Sequence, residues 1–389
     1  MNLFHWITGS LLALIWFSRV VDAAFGIRTL TDISQPEWDC DSATAMGNPR
    51  VAIIVPARNE ENSIGHALER LLALDYQNYE VIAIDDRSTD RTGTIMDDLM
   101  ASSGGRLKVV HIRELPPGWM GKAHAMWTAA RQTDADWLLF TDADVMFRPD
   151  CLRRAIAYAE AEPADHVVLL PRVIMKTPGE KMMVSFFQIL FVFGHRPWKV
   201  ADPKARDHIG VGAFNLVRRS VYEAIGTYER LRFEVVDDMK FGKVIKNAGF
   251  RQRVVLGAGL IDIRWAHGAR GVVNNLTKNF FAVMSFQAWR ALGGSVVLAI
   301  MNLTPFLGAI IAPGFARVPY AITLTSIFAL YAGTWRRDQI QPWYFFLHPV
   351  STVLLMYTVL RSMFVTLWNG GVEWRGTFYP LEELRKGLV

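Results

Sequence analysis

Asp142 and Asp144 close an apolar run of strand length, Trp137-Leu138-Leu139-Phe140-Thr141. Two carboxylates at i and i+2 form a hard-oxygen site that suits Mg²⁺ or Mn²⁺, and such a metal suits a diphosphate. Asp-x-Asp also serves as a plain turn or a helix N-cap, so the rest of the chain must decide. Three further groups bear on it. Pro56-Ala57-Arg58-Asn59-Glu60 follows another apolar run. Its carboxylate and amide can hold ribose hydroxyls or a base edge, or simply open a helix. Asp85-Asp86-Arg87-Ser88-Thr89-Asp90 follows a third run. Adjacent carboxylates are costly unless they bind something or face water, although Ser88 to Asp90 can double as caps. Val235 and Val236 lead into Asp237-Asp238. That pair can supply a general base beside a metal-bound diphosphate, or can favour the positive end of a helix dipole.

These groups need elements that bring them together. Residues 51–55 read as a continuous apolar strand stopped by Pro56. Residues 81–84, 107–110, 137–140 and 167–171 read as further strands. Helices are expected from the Asn62/Ser63 cap to about Leu74, from Thr89 or Asp90 to about Met100, and over 121–132. Strands without polar alternation, separated by helices, predict an α/β fold with a mostly parallel sheet covered on both faces. The polar strand ends then share one edge and can converge on one ligand.

The chain of 389 residues is 51% hydrophobic yet 20% charged, a mixture that predicts a soluble domain with attached spans. The formal charge of +5 comes without a Lys/Arg block interleaved with aromatics. Anionic membrane and phosphate are therefore the expected partners, and nucleic acid is excluded. Cys40 and Cys151 make neither a disulfide framework nor a zinc site. Residues 3–21 are long enough to span a bilayer; a signal peptide is disfavoured because no Lys or Arg precedes the apolar stretch. Residues 182–193 suggest a surface or core helix, and 296–312, 320–334 and 345–367 read as membrane segments, with Arg336 and Arg337 between the last two. The expected divisions are an anchor over 1–22, a catalytic domain over 50–270, an interfacial segment over 271–294, a membrane region over 295–368 and a tail over 369–389.

In order, Val-Pro-Ala-Arg-Asn-Glu, Asp-Asp-Arg-Ser-Thr-Asp, Gly121-Lys122, Thr-Asp-Ala-Asp and Val-Asp-Asp resemble the motifs of family 2 glycosyltransferases with the Rossmann-like GT-A fold. The resemblance implies inverting transfer from a nucleotide sugar, expected to be UDP-linked. It implies nucleotide-sugar contacts at Pro56, Arg58, Glu60, Asp85, Asp86, Lys122 and Asp142, a metal at Asp142 and Asp144, and Asp238 as base with Asp237 before it. Gly118-Trp119-Met120-Gly121-Lys122, Phe187-Gln188 and the tail around Trp374-Arg375 resemble the lipid-directed members, similar to hopanoid-associated and ceramide-glucosyltransferase-like proteins. In that subgroup the tail pair can anchor at the interface or reach the active site. Processive synthases of the family carry Gln-x-x-Arg-Trp, whereas Ile261-Asp262-Ile263-Arg264-Trp265 has Ile for Gln. Transfer of a single sugar to a lipid is therefore favoured over polymer synthesis. Arg264 and Trp265 either close over diphosphate or acceptor, or form a packing pair.

Nucleotide sugars are cytosolic, so a cytoplasmic catalytic domain on a multi-pass inner-membrane protein is expected. Arg19 and Arg28, after the first span, agree with it. Three complete C-terminal crossings would put the tail on the other side, so either one segment is re-entrant or interfacial, with Pro305 and Pro313 pointing to 296–312 or 320–334, or the tail is not catalytic. The rival of another class is an inactive membrane-anchored scaffold, which retention of Asp86, Asp142, Asp144 and Asp238 disfavours.

Overall fold

The computed structural model of the chain describes residues 2–40, 48–338 and 340–388, with the side chains of 336–338 excepted. The side chains of Arg336 and Arg337 and part of the polar connector 22–49 thus lie outside what is described. The chain forms two compact units, each assembled from separated segments. One comprises Leu30–Ile174, Pro197–Arg264 and Arg375–Val389; the other comprises Met1–Thr29, Met175–Arg196 and Trp265–Trp374.

The first unit is an α/β layer structure. Its strands are β1 (Val51–Ala57), β2 (Tyr79–Asp86), β3 (Leu107–Ile112), β4 (Trp137–Phe140), β5 (Met146–Phe147), β6 (His166–Leu169), β7 (Arg172–Val173), β8 (Asn215–Arg218), β9 (Gln252–Val255) and β10 (Ile261–Ile263). Seven of them form one sheet in the order β3-β2-β1-β4-β8-β6-β9, while β5, β10 and β7 form a small second sheet. Adjacent pairs in the large sheet are parallel except those of β8, which runs against both β4 and β6. Successive residues of β1, Val51, Ala52, Ile53, Ile54 and Val55, are all buried, as in an unalternating strand covered on both faces.

Pro56 does not stop β1. The Val51 amide bonds toward β2, on Asn78 O, so the nitrogen of Pro56, an odd number of residues on, faces the opposite neighbour. That neighbour, β4, has ended at Phe140, opposite Ile54. The missing N–H therefore costs no ladder bond, and β1 runs on to Ala57.

Register sets the functional edge. Ala57 pairs with Asp85, and Phe140 pairs with both Ile54 and Asn215. The C-terminal ends of β1, β2 and β4 and the entry to β8 thus lie together. Helices α2 (Ile64–Leu72), α3 (Thr92–Ser102), α4 (Gly121–Ala130), α5 (Cys151–Ala161), α7 (Arg219–Ala224) and α8 (Asp237–Asn247) complete the layers. The expected Ser63 cap on α2 makes no side-chain capping bond; Ser63 Oγ instead donates to Glu60. At α3 it is Asp90 that accepts the Thr92 amide, at 3.0 Å.

The second unit is helical: α1 (Asn2–Gly26), α6 (Pro178–Gly194), α9 (Gly268–Val283), α10 (Ala288–Asn302), α11 (Thr304–Ile311), α12 (Val318–Asp338) and α13 (His348–Asn369). Three stretches, Asn2–Thr29, Gly314–Trp335 and Pro342–Asn369, are long and apolar enough to cross a membrane. Residues 296–312 do not form one span. The chain breaks between α10 and α11, where Pro305 at the start of α11 cannot continue a helical hydrogen-bond ladder, and α9 and α10 meet at 120°. Residues 182–193 belong to a core helix, α6, with Met183, Val184, Phe186 and Ile189 buried. A capping box between Thr177 and Glu180 fixes its start, and Glu180 also accepts the Gly268 amide at 2.8 Å, tying α6 to α9.

After α13 come β11 (Gly371–Trp374), in the helical unit, and β12 (Thr377–Pro380) with α14 (Leu381–Lys386), in the α/β unit.

Candidate active site

Strand alternation separates the two acids that end β2. Asp85 faces α3, where it accepts the Ser88 amide at 3.1 Å and meets His111 Nδ1 at 3.0 Å. The other nitrogen of His111 meets Asp97 at 3.0 Å, and these acids raise its pKa, the Asp85 hydrogen bond most of all. Asp86 points the other way, buried, and takes two bonds from Arg87 at 2.7 and 3.0 Å. Beside it α4 begins: a Cβ on Gly121 would fall 2.3 Å from Asp86 Oδ2. Only glycine lets the helix N-terminus come this near the carboxylate.

That N-terminus carries Lys122. Its Nζ stands 2.8 Å from Asp142 Oδ1 and 3.7 Å from Asp237 Oδ1. Burial disfavours the ammonium, but Asp142, Asp237 and Asp238 outweigh it and raise the pKa, so Lys122 is charged.

Asp237 and Asp238 form the first turn of α8. Asp238 is gripped by two amides: Gly212 N donates to Oδ2 at 2.9 Å and Met239 N to Oδ1 at 2.7 Å. Burial raises its pKa, with Lys122 opposing. Asp237 is buried and likewise raised, by burial first and by Asp238, and its Oδ2 has no hydrogen-bond partner. Such an orphaned buried acceptor is rare unless a ligand completes it.

Gly212 also joins Asp142 to Asp238. Its carbonyl accepts the Asp142 amide at 2.9 Å, and a Cβ there would sit 2.2 Å from Asp142 Oδ2. The loop holding Gly212 is fixed from below by a buried chain of bonds. Gln252 Oε1 accepts from Ile209 N at 3.1 Å, and its Nε2 lies 2.8 Å from His166 Nδ1. His166 Nε2 then donates to Asn215 Oδ1 at 3.2 Å, and Asn215 Nδ2 to Val211 O at 2.6 Å. Burial lowers the pKa of His166 to about 3, so it stays neutral and keeps this tautomer.

Asp144 is exposed, yet the walls of the site strip part of its water. That desolvation, then Asp142 and Glu60, push its pKa to about 6. This excess of negative charge fits a divalent cation. Among the described residues, no group of three His, Cys, Asp or Glu side chains forms a ready-made metal cage.

The C-terminal segment closes the other side. Arg375 donates to Glu60 Oε1 at 2.6 Å and to the Arg58 carbonyl. Thr377 Oγ1 accepts from Arg58 at 2.9 Å, and the Tyr379 hydroxyl accepts the Gly121 amide at 3.1 Å. Asn59, Arg87 and Arg375 all adopt positive φ here, a conformation non-glycine residues hold only where surroundings impose it. Arg264 follows β10 of the small sheet, and Trp265 packs on Phe187 of α6 with ring centroids 4.9 Å apart.

Gly212 and the His166–Asn215–Gln252 chain carry no local signal in the sequence, whereas Thr377 and Tyr379 belong to the tail after Trp374-Arg375 that the resemblance marks as able to reach the site.

A mostly parallel sheet with helices on its faces and this acidic edge is the GT-A fold. The fold is like that of the mannosyltransferase PcManGT from Pyrobaculum calidifontis, solved with GDP-Man and Mn²⁺: the TM-score is 0.55 at 18% identity, over 94% of this chain and 99% of that one. Residues 52–226 match the model of Glycosyl transferase family 2. The match ends before Asp237 and Asp238, whose roles therefore rest on geometry. The chain is 21% identical over 345 residues to 4,4'-diaponeurosporenoate glycosyltransferase of Staphylococcus aureus, covering 86% of this chain and 89% of the relative. It is 33% identical over 159 residues to beta-monoglucosyldiacylglycerol synthase of Synechocystis sp., covering 40% of this chain and 33% of that relative.

Proposed function

We propose that the protein is an inverting, metal-dependent glycosyltransferase that moves a single sugar from a nucleotide sugar, UDP-linked in this reading, to a lipid hydroxyl at the cytoplasmic face of the inner membrane. The observation that carries it is the Asp238 carboxylate, held by two amides within the field of charged Lys122. Asp238 takes the proton of the acceptor hydroxyl as its oxygen bonds to the anomeric carbon. The bond from that carbon to the phosphate oxygen breaks, and its electron pair leaves with the nucleoside diphosphate. Lys122 and the α4 N-terminus stabilise the charge that develops there. Asp144 with Asp142 would hold Mg²⁺ or Mn²⁺, which when bound neutralises the diphosphate. Asp86, Arg58 and Glu60 face the nucleoside end, with Pro56 preceding them.

A lipid acceptor is supported by three helices long and apolar enough to cross a membrane and by relatives whose names specify a carotenoid acid and a diacylglycerol glycolipid. Single transfer is supported by Ile261 at the position where processive members have Gln. The test is to incubate membranes containing the protein with a panel of labelled UDP-, GDP- and other nucleotide sugars and to identify the labelled product by mass. One sugar on a lipid is expected; a ladder of products, or label in no lipid from any donor, refutes the reading.

A further inference from the structure

Helices α9 and α13 enclose a groove in the helical unit. Its volume is about 360 Å³, and it is lined by Arg270, Val273 and Asn274 from α9 and Leu354, Tyr357 and Arg361 from α13. Arg361 lies within a helix apolar enough to cross a membrane. It belongs to that helix's outward stripe, flanked at helical spacing by exposed Val350, Val353, Tyr357, Phe364 and Trp368. A charge on such a stripe is expensive unless a partner compensates it.

Among the described residues, no carboxylate does. Neither α9 nor α13 contains Asp or Glu. Arg361 Nη1 donates only to neutral groups, Asn274 Oδ1 at 3.2 Å and Thr277 Oγ1 at 2.8 Å. Those bonds aim the guanidinium and leave its Nε and Nη2 without a protein acceptor among the described residues. Arg270 is exposed at the same groove and likewise has no acidic partner among them. The other cation of α9, Lys278, is turned away onto the Trp374 ring, 4.8 Å from its centroid. Two guanidiniums with open donors thus share one groove whose wall continues into an apolar face.

We infer that this groove binds the phosphate of an anionic membrane lipid, with Arg361 and Arg270 on the headgroup and the exposed α13 stripe along an acyl chain. A fork of guanidinium donors matches phosphate oxygens, and the apolar wall matches the chain attached to them. Seven residues, two turns of helix, separate Arg361 from Trp368, an aromatic of the kind that marks the headgroup level. That distance is within reach of an arginine that extends its head toward the interface. The inference rests on α13 lying in a membrane and is independent of the transfer chemistry.

The test uses the full chain in nanodiscs of phosphatidylcholine doped with spin-labelled phosphatidylglycerol or spin-labelled phosphatidylcholine, reading the motionally restricted fraction. A preference for phosphatidylglycerol is expected, falling about fivefold for each of Arg361→Gln and Arg270→Gln. Arg361→Lys should restore most of the preference, which a purely structural role of Arg361 would not allow. Equal retention of the two lipids, or Gln variants that keep the preference, overturns the site. Inorganic phosphate that displaces the lipid at matched concentration assigns the groove to free phosphate and overturns the lipid. Flotation of each variant with vesicles separately reports whether the chain resides in the membrane at all.

Discussion

Lys122 Nζ lies 2.8 Å from Asp142 Oδ1, so the cation at the start of α4 is bound to the acid that ends β4. Each is then half-committed: the lysine cannot lose its proton, and the carboxylate has already spent one oxygen. Under the proposed function, a nucleoside diphosphate arriving between them would compete for Lys122 and release Asp142 toward the neighbouring Asp144. Lys122→Ala should therefore weaken nucleotide-sugar binding and slow transfer together, by about 10²-fold in kcat/KM or more. Isothermal titration with the free nucleoside diphosphate and initial rates separate the two effects. Unchanged affinity would remove Lys122 from the diphosphate.

Asp238→Asn keeps the shape of the side chain and removes the base. Transfer should fall by about 10²–10⁴-fold, while nucleotide binding persists. Full activity in that variant would falsify the base assignment. Because burial raises the pKa of Asp238, kcat/KM should fall on the acid side at a pH above the ordinary carboxylate range, near 4.

Asp144 gives a stability signature. Its pKa stands at about 6 in the folded protein, above the usual 3.8, so the folded state binds more protons than the unfolded one between those values. Its stabilising contribution is complete below the unfolded pKa and is lost as pH rises through about 6. Without metal, Tm should drop across that window, and Asp144→Asn should flatten the drop. Mg²⁺ or Mn²⁺ at neutral pH should raise Tm of the parent and not of Asp144→Ala. A parent chain indifferent to divalent ions would argue against metal at this edge.

Gly212→Ala probes the contact between β8's approach and the acids. The added methyl would have to push Asp142 aside or shift the loop that grips Asp238. A displacement near 1 Å costs about 10²-fold in rate. Overpacking of this kind costs about 1–3 kcal/mol of stability. Activity near that of the parent would mean that the loop yields without moving Asp238.

Arg375→Ala separates function from stability. The Arg375–Glu60 pair is partly exposed, so it stabilises the fold by no more than about 1 kcal/mol. A rise in KM for the nucleotide sugar with little change in Tm is expected. A loss of Tm with normal KM would make the pair a simple tie.

The strand ends were legible because acids that follow an uninterrupted apolar run leave few alternatives. The pairing of Asp85 with His111 was not, since one face of β2 cannot be told from the other without knowing which helix covers it. Pro56 misled for a related reason: its cost depends on the length of β4, a partner more than eighty residues away. The chain from Gln252 through His166 to Asn215 joins residues far apart in sequence, so no local pattern announces it. The break after α10 could be read from Pro305, because proline acts on its own backbone.

Segment order sets a timetable for the site. The α/β unit is made from three stretches, and its last, beginning at Arg375, follows α13 and the short β11. On the ribosome, Arg375, Thr377 and Tyr379 therefore emerge after every apolar helix has been made. A nascent chain can build the sheet and place Asp238, but it cannot close Glu60, Arg58 and Gly121 against their partners until this last stretch has emerged. Under the proposed function, transfer thus waits on the segment that begins at Arg375, and a polypeptide ending at Trp374 should fold its sheet and remain idle.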